Sequence, residues 1–248
     1  MKNLDGKVSI IMPAYNESNH IITSIQETID TFNQFGCDYE IIVMDDGSRD
    51  DTYRKARDFA AGQLRVCVKR NQTNFGKGRS LKKAFRHALG EYIVFLDADL
   101  DLHPRQAQTL FDVMHKENAD VVIGSKRHPE SKVNYPLQRK IMSNGYYYLI
   151  RCMFGLPVRD TQTGLKLFKR KVLEDVFPKV LIKRYAFDLE LLVIAHHMHY
   201  KIVEAPITLH FQRSFHRIKT TDILATWRDT MAVFYRLYIL RYYDRTKK

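Results

Sequence analysis

An α/β fold, with a mainly parallel central sheet flanked by helices, is predicted for this chain by three observations. Short apolar runs rich in β-branched and aromatic residues alternate with segments whose apolar residues recur at helical spacing. Each run gives way to polar, acidic or glycine-rich residues, so successive loops gather at one edge of the sheet, where open α/β sheets bind ligands. The 248 residues, 45% of them hydrophobic, suffice for one large domain with a sizeable core.

The first strand is expected over Val8 to Met12, stopped by Pro13 before the loop Ala14-Tyr15-Asn16-Glu17. Ile21, Ile22, Ile25, Ile29 and Phe32 then share one helix face, with Gly36 as terminator. Tyr39 to Met44 reads as a second strand delivering Asp45-Asp46-Gly47-Ser48, and Asp51-Thr52 opens another helix. Leu64 to Lys69 is a third strand, Asn74-Phe75-Gly76-Lys77-Gly78 a loop and Arg79 to Leu89 a helix. The fourth strand, Tyr92 to Leu96, is apolar throughout, as suits a strand covered on both faces, and it ends in Asp97-Ala98-Asp99. Val121 to Gly124 is a strand leading into the cations of Ser125-Lys126-Arg127-His128, and Leu137 to Phe154 is helical. Asp160 lies in a loop before a strand, able to touch ligand hydroxyls or to orient Lys166. On the later helix Asp188 and Glu190 cannot face one way, because two residues turn a helix by about 200°. One is expected at the site, the other solvated or paired with Lys183 or Arg184.

Chemistry enters at the strand ends. Asp97 and Asp99, two apart, can converge on a hard cation such as Mg²⁺ or Mn²⁺, which typically bridges to phosphate oxygens. A dinucleotide fingerprint is missing, since the first turn reads Pro-Ala-Tyr-Asn-Glu, and Gly76-Lys77-Gly78 lacks the remainder of a P-loop. The loops offer instead the Tyr15 ring, the carboxylates Glu17, Asp45 and Asp46, the cation Lys77 and the aspartate pair, a set that suits a nucleoside diphosphate. Each has a plainer reading: Glu17 as a helix-capping acid, Asp46-Gly47 as a turn, Lys77 as a solvated charge. Their recurrence at successive strand ends argues for a shared ligand.

Net charge and terminal composition bound the partners. A formal charge of +12 calls for an anion, which could be nucleic acid, a phosphorylated substrate or an acidic membrane surface. Nucleic acid is disfavoured, because no basic-aromatic stacking motif occurs and acidic loops at the sheet edge would repel phosphate without a metal. Cys37, Cys67 and Cys152 are scattered, indicating neither disulfide nor zinc and fitting a reducing cytosol. His196, His197 and His199 lack the four-residue spacing of a helical metal pair. No apolar leader precedes the first strand and no run of about 18 uncharged apolar residues occurs, so no transmembrane helix is predicted.

Residues 1–211 are therefore expected to form the α/β domain, with 212–248 a basic C-terminal helical extension. In the latter, nine cations face only Asp222, Asp229 and Asp244, interleaved with Ile223, Leu224, Trp227, Met231, Phe234, Tyr235 and Tyr238. That composition fits a helix lying on an anionic membrane surface, a helix packed on the domain, or a homodimer contact.

The four loop motifs Pro13-Ala14-Tyr15-Asn16-Glu17, Asp45-Asp46-Gly47-Ser48, Gly76-Lys77-Gly78 and Asp97-Ala98-Asp99, in that order, resemble those of the family 2 glycosyltransferases, which have the GT-A fold. The resemblance covers Val8 to about Ile207 and is greatest to polyprenyl- or dolichyl-phosphate sugar transferases. It implies a cytoplasmic, membrane-peripheral enzyme that moves a sugar from a nucleotide donor to a lipid phosphate with inversion. On matching positions Pro13, Tyr15, Glu17 and Asp46 would hold the nucleoside, beside Asp45, Lys77 and Ala98, and Asp97 and Asp99 the metal. Lys126, after Gly124-Ser125, matches a phosphate-meeting cation, and Arg139, Lys140 and Ser143 resemble a phosphate-binding helix. The segments Asp160 to Phe168 and Ala186 to Leu192 look closer to dolichyl-phosphate glucosyltransferases than to mannosyltransferases, favouring UDP-glucose over GDP-mannose. A family Gly-Ser-Lys is replaced by the stretch from Arg213 to Lys219, whose cations are expected near the acceptor. Asp97, Asp99, Asp160, Lys126 and Arg139 form the expected catalytic set. A glycan hydroxyl as acceptor would instead need a carboxylate base, for which Asp160 and Glu190 are candidates.

Overall fold

A computed structural model describes residues 4–132, 137–209 and 220–244. Seven strands form one sheet: β1 (Val8–Ala14), β2 (Tyr39–Asp45), β3 (Val66–Arg70), β4 (Tyr92–Phe95), β5 (Val121–Ser125), β6 (Lys166–Lys169) and β7 (Ile202–Pro206). Their order is β3-β2-β1-β4-β6-β5-β7, and every pairing is parallel except those of β6, which runs antiparallel to both β4 and β5. Eight α-helices cover the two faces: α1 (Ile21–Phe35), α2 (Thr52–Ala60), α3 (Lys77–Phe85), α4 (Ala107–Glu117), α5 (Leu137–Phe154), α6 (Arg170–Val176), α7 (Phe187–His197) and α8 (Thr220–Phe234).

Period-two alternation divides the core. Ile10 and Met12 of β1 pack with Val43, Val94 and α1, whereas Ile11 packs with Ile42, Phe95, Phe168 and Phe187 on the opposite face. Ile93, Val94, Phe95 and Leu96 are all at most 2% exposed, the two-sided burial that their unbroken apolar run predicts.

Two boundaries differ from expectation. Strand β1 continues through Pro13 to pair Ala14 with Asp45. The Ile11 carbonyl accepts from Leu96 N at 3.1 Å, so Pro13, two residues on, faces the side where β4 has already ended, and its missing N–H costs no ladder bond. Helix α3 begins at Lys77 rather than Arg79, which moves Lys77 from a loop to the first turn of a helix.

The described C-terminal residues share the main core. Val233 and Tyr243 are buried there with α7, while Leu224, Trp227, Tyr235, Tyr238, Ile239 and Leu240 remain exposed. No helix among the described residues is long and apolar enough to cross a membrane.

Candidate active site

A crevice of about 840 Å³ opens at the C-terminal ends of β1, β2 and β4, large enough to enclose a nucleotide-sized ligand. Pro13, Tyr15, Glu17, Asp46, Lys77, Asp97, Ala98, Asp99 and Lys126 all line it. Side chains from five separate loops thus converge as their positions at strand ends predict.

The loops are stapled to one another by their own polar groups. Asn16, with a left-handed φ of 57°, donates from its N–H to Ser48 Oγ at 2.9 Å and accepts from Arg49 N at 3.0 Å. Asp46 is 3% exposed, and its carboxylate accepts from Asn71 Nδ2 at 2.8 Å, Phe75 N at 3.0 Å and Gly76 N at 2.8 Å. Gly76 stands at φ 98°, and a Cβ there would come within 2.6 Å of the Lys183 carbonyl oxygen. A side chain would therefore push the loop off residues 183–184, to which it is tied by Gly78 N donating to Lys183 O and Arg184 Nη2 donating to Asn74 O.

That anchoring sets Lys77. Its ammonium lies 2.6 Å from Asp97 Oδ1 and 2.9 Å from Oδ2, both side chains remaining about a third exposed to the crevice. Burial alone would lower the Lys77 pKa, but Asp97, then Asp188 and Asp99, outweigh it and push the group up. Burial likewise works to raise the Asp97 carboxyl, and Lys77, with Lys166 and Lys126, overrides it and holds the group low. The Asp97–Asp99 turn is pinned to α1 by Ser24 Oγ donating to the Ala98 carbonyl at 2.6 Å. Leu100, a non-glycine residue at φ 60°, bends the chain immediately after Asp99. Gly164 packs so closely on Asp97 Oδ2 that any side chain there would displace the carboxylate.

Behind Lys77 sits an ion pair that sequence reasoning assigned differently. Lys166, 1% exposed, donates to Asp188 Oδ1 at 2.6 Å and to the Thr163 carbonyl at 2.5 Å, so Asp188 rather than Asp160 orients it. Burial lowers the Lys166 pKa against the pull of Asp188, and repulsion from Lys77 adds to the lowering. Asp188 lines the crevice. The other of the two, expected in solvent or paired with Lys183 or Arg184, is Glu190, which is instead fully buried, accepting from Leu181 N, Ile182 N and Tyr243. It is thereby removed as a candidate base, because no substrate hydroxyl can reach it.

Asp160 lines a neighbouring recess of about 80 Å³ with Lys126, Arg127 and Arg159. Its Oδ2 accepts from Thr163 Oγ1 at 2.6 Å and Lys126 N at 3.2 Å, with Lys126 Nζ 3.8 Å away. Burial would raise this carboxyl, and Lys126 with these hydrogen bonds holds it low. Asp45, expected on the crevice wall, lies behind it: fully buried, it accepts from Arg70 Nε at 3.1 Å and Ser48 N at 3.3 Å, fixing the loop that presents Asp46. Arg139 and Ser143 fall on α5, but their side chains, like Arg213 and Lys219, lie outside the described residues. His197 pairs with Asp244 at 2.5 Å, and no metal-binding cluster of three or more His, Cys, Asp or Glu occurs among the described residues.

The model of the family described as Glycosyl transferase family 2 matches residues 9–177, well over half the chain. The chain belongs to that family. It is similar to a dolichyl-phosphate beta-glucosyltransferase of Trichomonas vaginalis, 30% identical over 80% of this chain and 62% of that protein. Glycosyltransferase AglD of Haloferax volcanii is 30% identical over 81% of this chain, which spans about a third (32%) of that longer relative. Among solved structures, glucosyl-3-phosphoglycerate synthase from Mycobacterium tuberculosis, crystallised with Mn²⁺, UDP-glucose and phosphoglyceric acid, superposes with a TM-score of 0.65 at 19% identity, covering 100% of this chain and 83% of that one. This likeness concerns the fold, which is GT-A as expected.

Within this family member, sequence reasoning missed further residues of the crevice. Tyr146, Gln162, Arg184, Tyr185, Asp222 and Thr226 line the crevice, as do Ile223 and Trp227, for which composition left membrane, domain and dimer contacts open. The usable signal was positional. Asp222, Ile223, Thr226 and Trp227 lie at i, i+1, i+4 and i+5, one face of α8.

Proposed function

We propose that this family 2 enzyme transfers glucose from UDP-glucose to a polyprenyl or dolichyl phosphate, with inversion at the anomeric carbon. The observation that carries the reading is the crevice in which Tyr15, Glu17, Asp46, Lys77, Asp97 and Asp99 converge, lined as well by Tyr146, Ile223 and Trp227. The first group suits a nucleoside diphosphate, the second an apolar chain. The dolichyl-phosphate glucosyltransferase relatives and the UDP-glucose complex of a structural neighbour point to the same donor and acceptor classes.

Asp97 and Asp99 fit a hard divalent cation, because two carboxylates at one strand end both line the crevice and one already attracts an ammonium. Mg²⁺ or Mn²⁺ bound there would supply the charge neutralisation that lets a diphosphate depart. Tyr15 offers a ring to the base and Glu17 a carboxylate to base or ribose donors. Lys77, fixed by Asp46 through the Gly76 amide, places a permanent positive charge where the leaving diphosphate gathers negative charge. An acceptor phosphate is already anionic at neutral pH and needs no strong base. Lys126, shared between crevice and recess, is positioned to hold it for in-line attack on the anomeric carbon. Exposed Leu224, Ile239 and Leu240 would seat on the membrane that carries such a lipid.

The test is a panel of UDP- and GDP-sugars with short polyprenyl phosphates, plus phosphoglycerate as a soluble acceptor, products being read by mass. A hexosyl polyprenyl phosphate made at least tenfold more efficiently from UDP-glucose than from GDP-mannose is expected. Faster turnover of GDP-mannose would overturn the donor assignment, and product from phosphoglycerate alone the acceptor assignment.

A further inference from the structure

Glu190 is a carboxylate with no place in the chemistry, yet it is fully buried and both its oxygens are used. Oε2 accepts from the backbone N–H groups of Leu181 at 2.9 Å and Ile182 at 2.6 Å. Oε1 accepts from Tyr243 Oη at 2.6 Å and lies 3.2 Å from Arg236 Nη2. That nitrogen is buried without a hydrogen-bond partner among the described residues, so its contact with Glu190 is ionic rather than a well-directed hydrogen bond. Arg236 Nε in turn donates to Tyr243 Oη at 3.1 Å. One carboxylate therefore joins the C-terminal segment, through one oxygen, to residues 181–182, through the other.

The residues that follow hold the loop of the candidate site. Lys183 O accepts from Gly78 N at 3.1 Å, and Arg184 Nη2 donates to Asn74 O at 3.0 Å, bracketing Gly76 and Lys77. Two further ties bind the C-terminal segment to this stretch: Lys179 Nζ donates to Tyr243 O at 2.7 Å, and Tyr185 Oη donates to Asp222 Oδ1 at 2.9 Å. Residues 179–190 and the C-terminal segment lie outside the span matched by the family model, which ends at residue 177.

We infer that Glu190, Arg236 and Tyr243 are positioning residues for transfer, through which the C-terminal segment fixes residues 179–185 and so holds Lys77 against Asp97. The inference rests on the reading of Lys77 as the cation facing the departing diphosphate. A buried, charged node of this kind is costly to assemble and loses its benefit if one partner is removed, so its removal is felt where its bonds lead. They lead in one direction to the C-terminal segment and in the other, through residues 183–184, to Asn74 and Gly78 on either side of Lys77.

A double-mutant cycle tests this. Tyr243→Phe removes the hydroxyl donated to Glu190 while keeping the ring in the core. It should lower kcat for sugar transfer about fivefold to tenfold, as small misplacements of a catalytic group do, with the donor KM changed less than twofold. In a Lys77→Met background the same substitution should lower kcat by less than twofold, because there is no ammonium left to misplace. Rates are taken well below each unfolding midpoint, and Lys179→Met, which cuts the tie to the Tyr243 carbonyl, repeats the cycle should Tyr243→Phe not fold. Equal losses in both backgrounds would assign the node to general stability and overturn the inference, leaving the role of Lys77 intact. A Lys77→Met enzyme as fast as the parent would overturn both. Loss confined to the Lys77 background supports it.

Discussion

Replacing Asp46 by asparagine separates a structural duty from a binding one, and its size can be worked from three hydrogen bonds. Oδ1 accepts from Asn71 Nδ2 and Phe75 N, and Oδ2 from Gly76 N, all inside a residue only 3% exposed. An asparagine can keep the two bonds at its oxygen but turns an N–H₂ toward the Gly76 N–H. One bond to a charged acceptor is lost, worth about 1.5–3 kcal/mol, and a buried donor is left unpaired, a cost that overlaps with the first. The remaining two bonds weaken to neutral strength. The sum is about 3 kcal/mol, which for a protein of this size lowers the unfolding midpoint by roughly 6–12 °C. Because Gly76 leads directly into Lys77, UDP affinity should fall as well, by about tenfold. The one tryptophan, Trp227, lines the crevice and is half-exposed, so its fluorescence reports UDP binding without a label. Asp45→Asn is the control: it loosens Arg70 and Ser48 behind the crevice and should cost stability with UDP affinity changed less than threefold. If Asp46→Asn unfolds within about 1 kcal/mol of the parent, the hydrogen-bond argument is wrong. If Asp45→Asn weakens UDP as much as Asp46→Asn does, the distinction between the two aspartates fails.

Asp97→Asn and Asp99→Asn should each abolish transfer and weaken UDP binding mainly when Mg²⁺ or Mn²⁺ is present; full activity in excess chelator would remove the metal from the reaction. Asp160 is held below its unfolded carboxylate pKa of about 3.9. Its contribution to stability is therefore complete above that value and is lost as pH falls through the lower folded value. Urea unfolding between pH 2 and 6 should accordingly show a shallower acid-side loss in Asp160→Asn, and an unchanged slope would refute the coupling to Lys126. Substituting serine at any two of Leu224, Ile239 and Leu240 should cut sedimentation with anionic vesicles at least tenfold, given about 1.5 kcal/mol for each side chain seated in lipid. The residual binding should weaken with salt, and unaltered binding would assign that face to another contact. Truncating the C-terminal segment is a poor substitute for these changes, since it strips Val233 and Tyr243 from the core.

The half of the crevice carried by strand ends was legible because period-two burial and strand order force those loops to one edge. Tyr15, Asp46, Lys77 and Asp97 needed only their places in the alternation of strands and helices. Side chains whose role depends on a partner distant in sequence were not legible. Asp188 and Glu190 show the difference: helical geometry correctly sends them to different sides, but nothing local says that Lys166 waits on one and Tyr243 on the other. Trp227 and Ile223 were left open between lipid, domain and dimer for a related reason, since an aromatic stripe on a basic helix reads the same whether it meets lipid or walls a crevice. Asp45 and Asp46 are adjacent and chemically identical, and only β-strand alternation, with Asp45 the last residue of β2, sends one behind the site and the other into it.

The antiparallel strand in the middle of the sheet has a consequence for biosynthesis. One edge of β4 is covered by β1 as soon as residues 92–95 emerge, but the other pairs Ile93 with Phe168, some 75 residues later. At translation rates of about 5–20 residues per second, that edge waits roughly 4–15 s for its partner. During the interval the chain displays an uncovered Ile93-Val94-Phe95-Leu96, apolar, uncharged and free of proline, the composition that pairs indiscriminately with other extended chains. The strand that delivers Asp97 and Asp99 is thus flanked on both edges later than β1 and β2. Slow decoding between residues 96 and 166 would lower the yield of native protein without altering the activity of the molecules that complete the sheet.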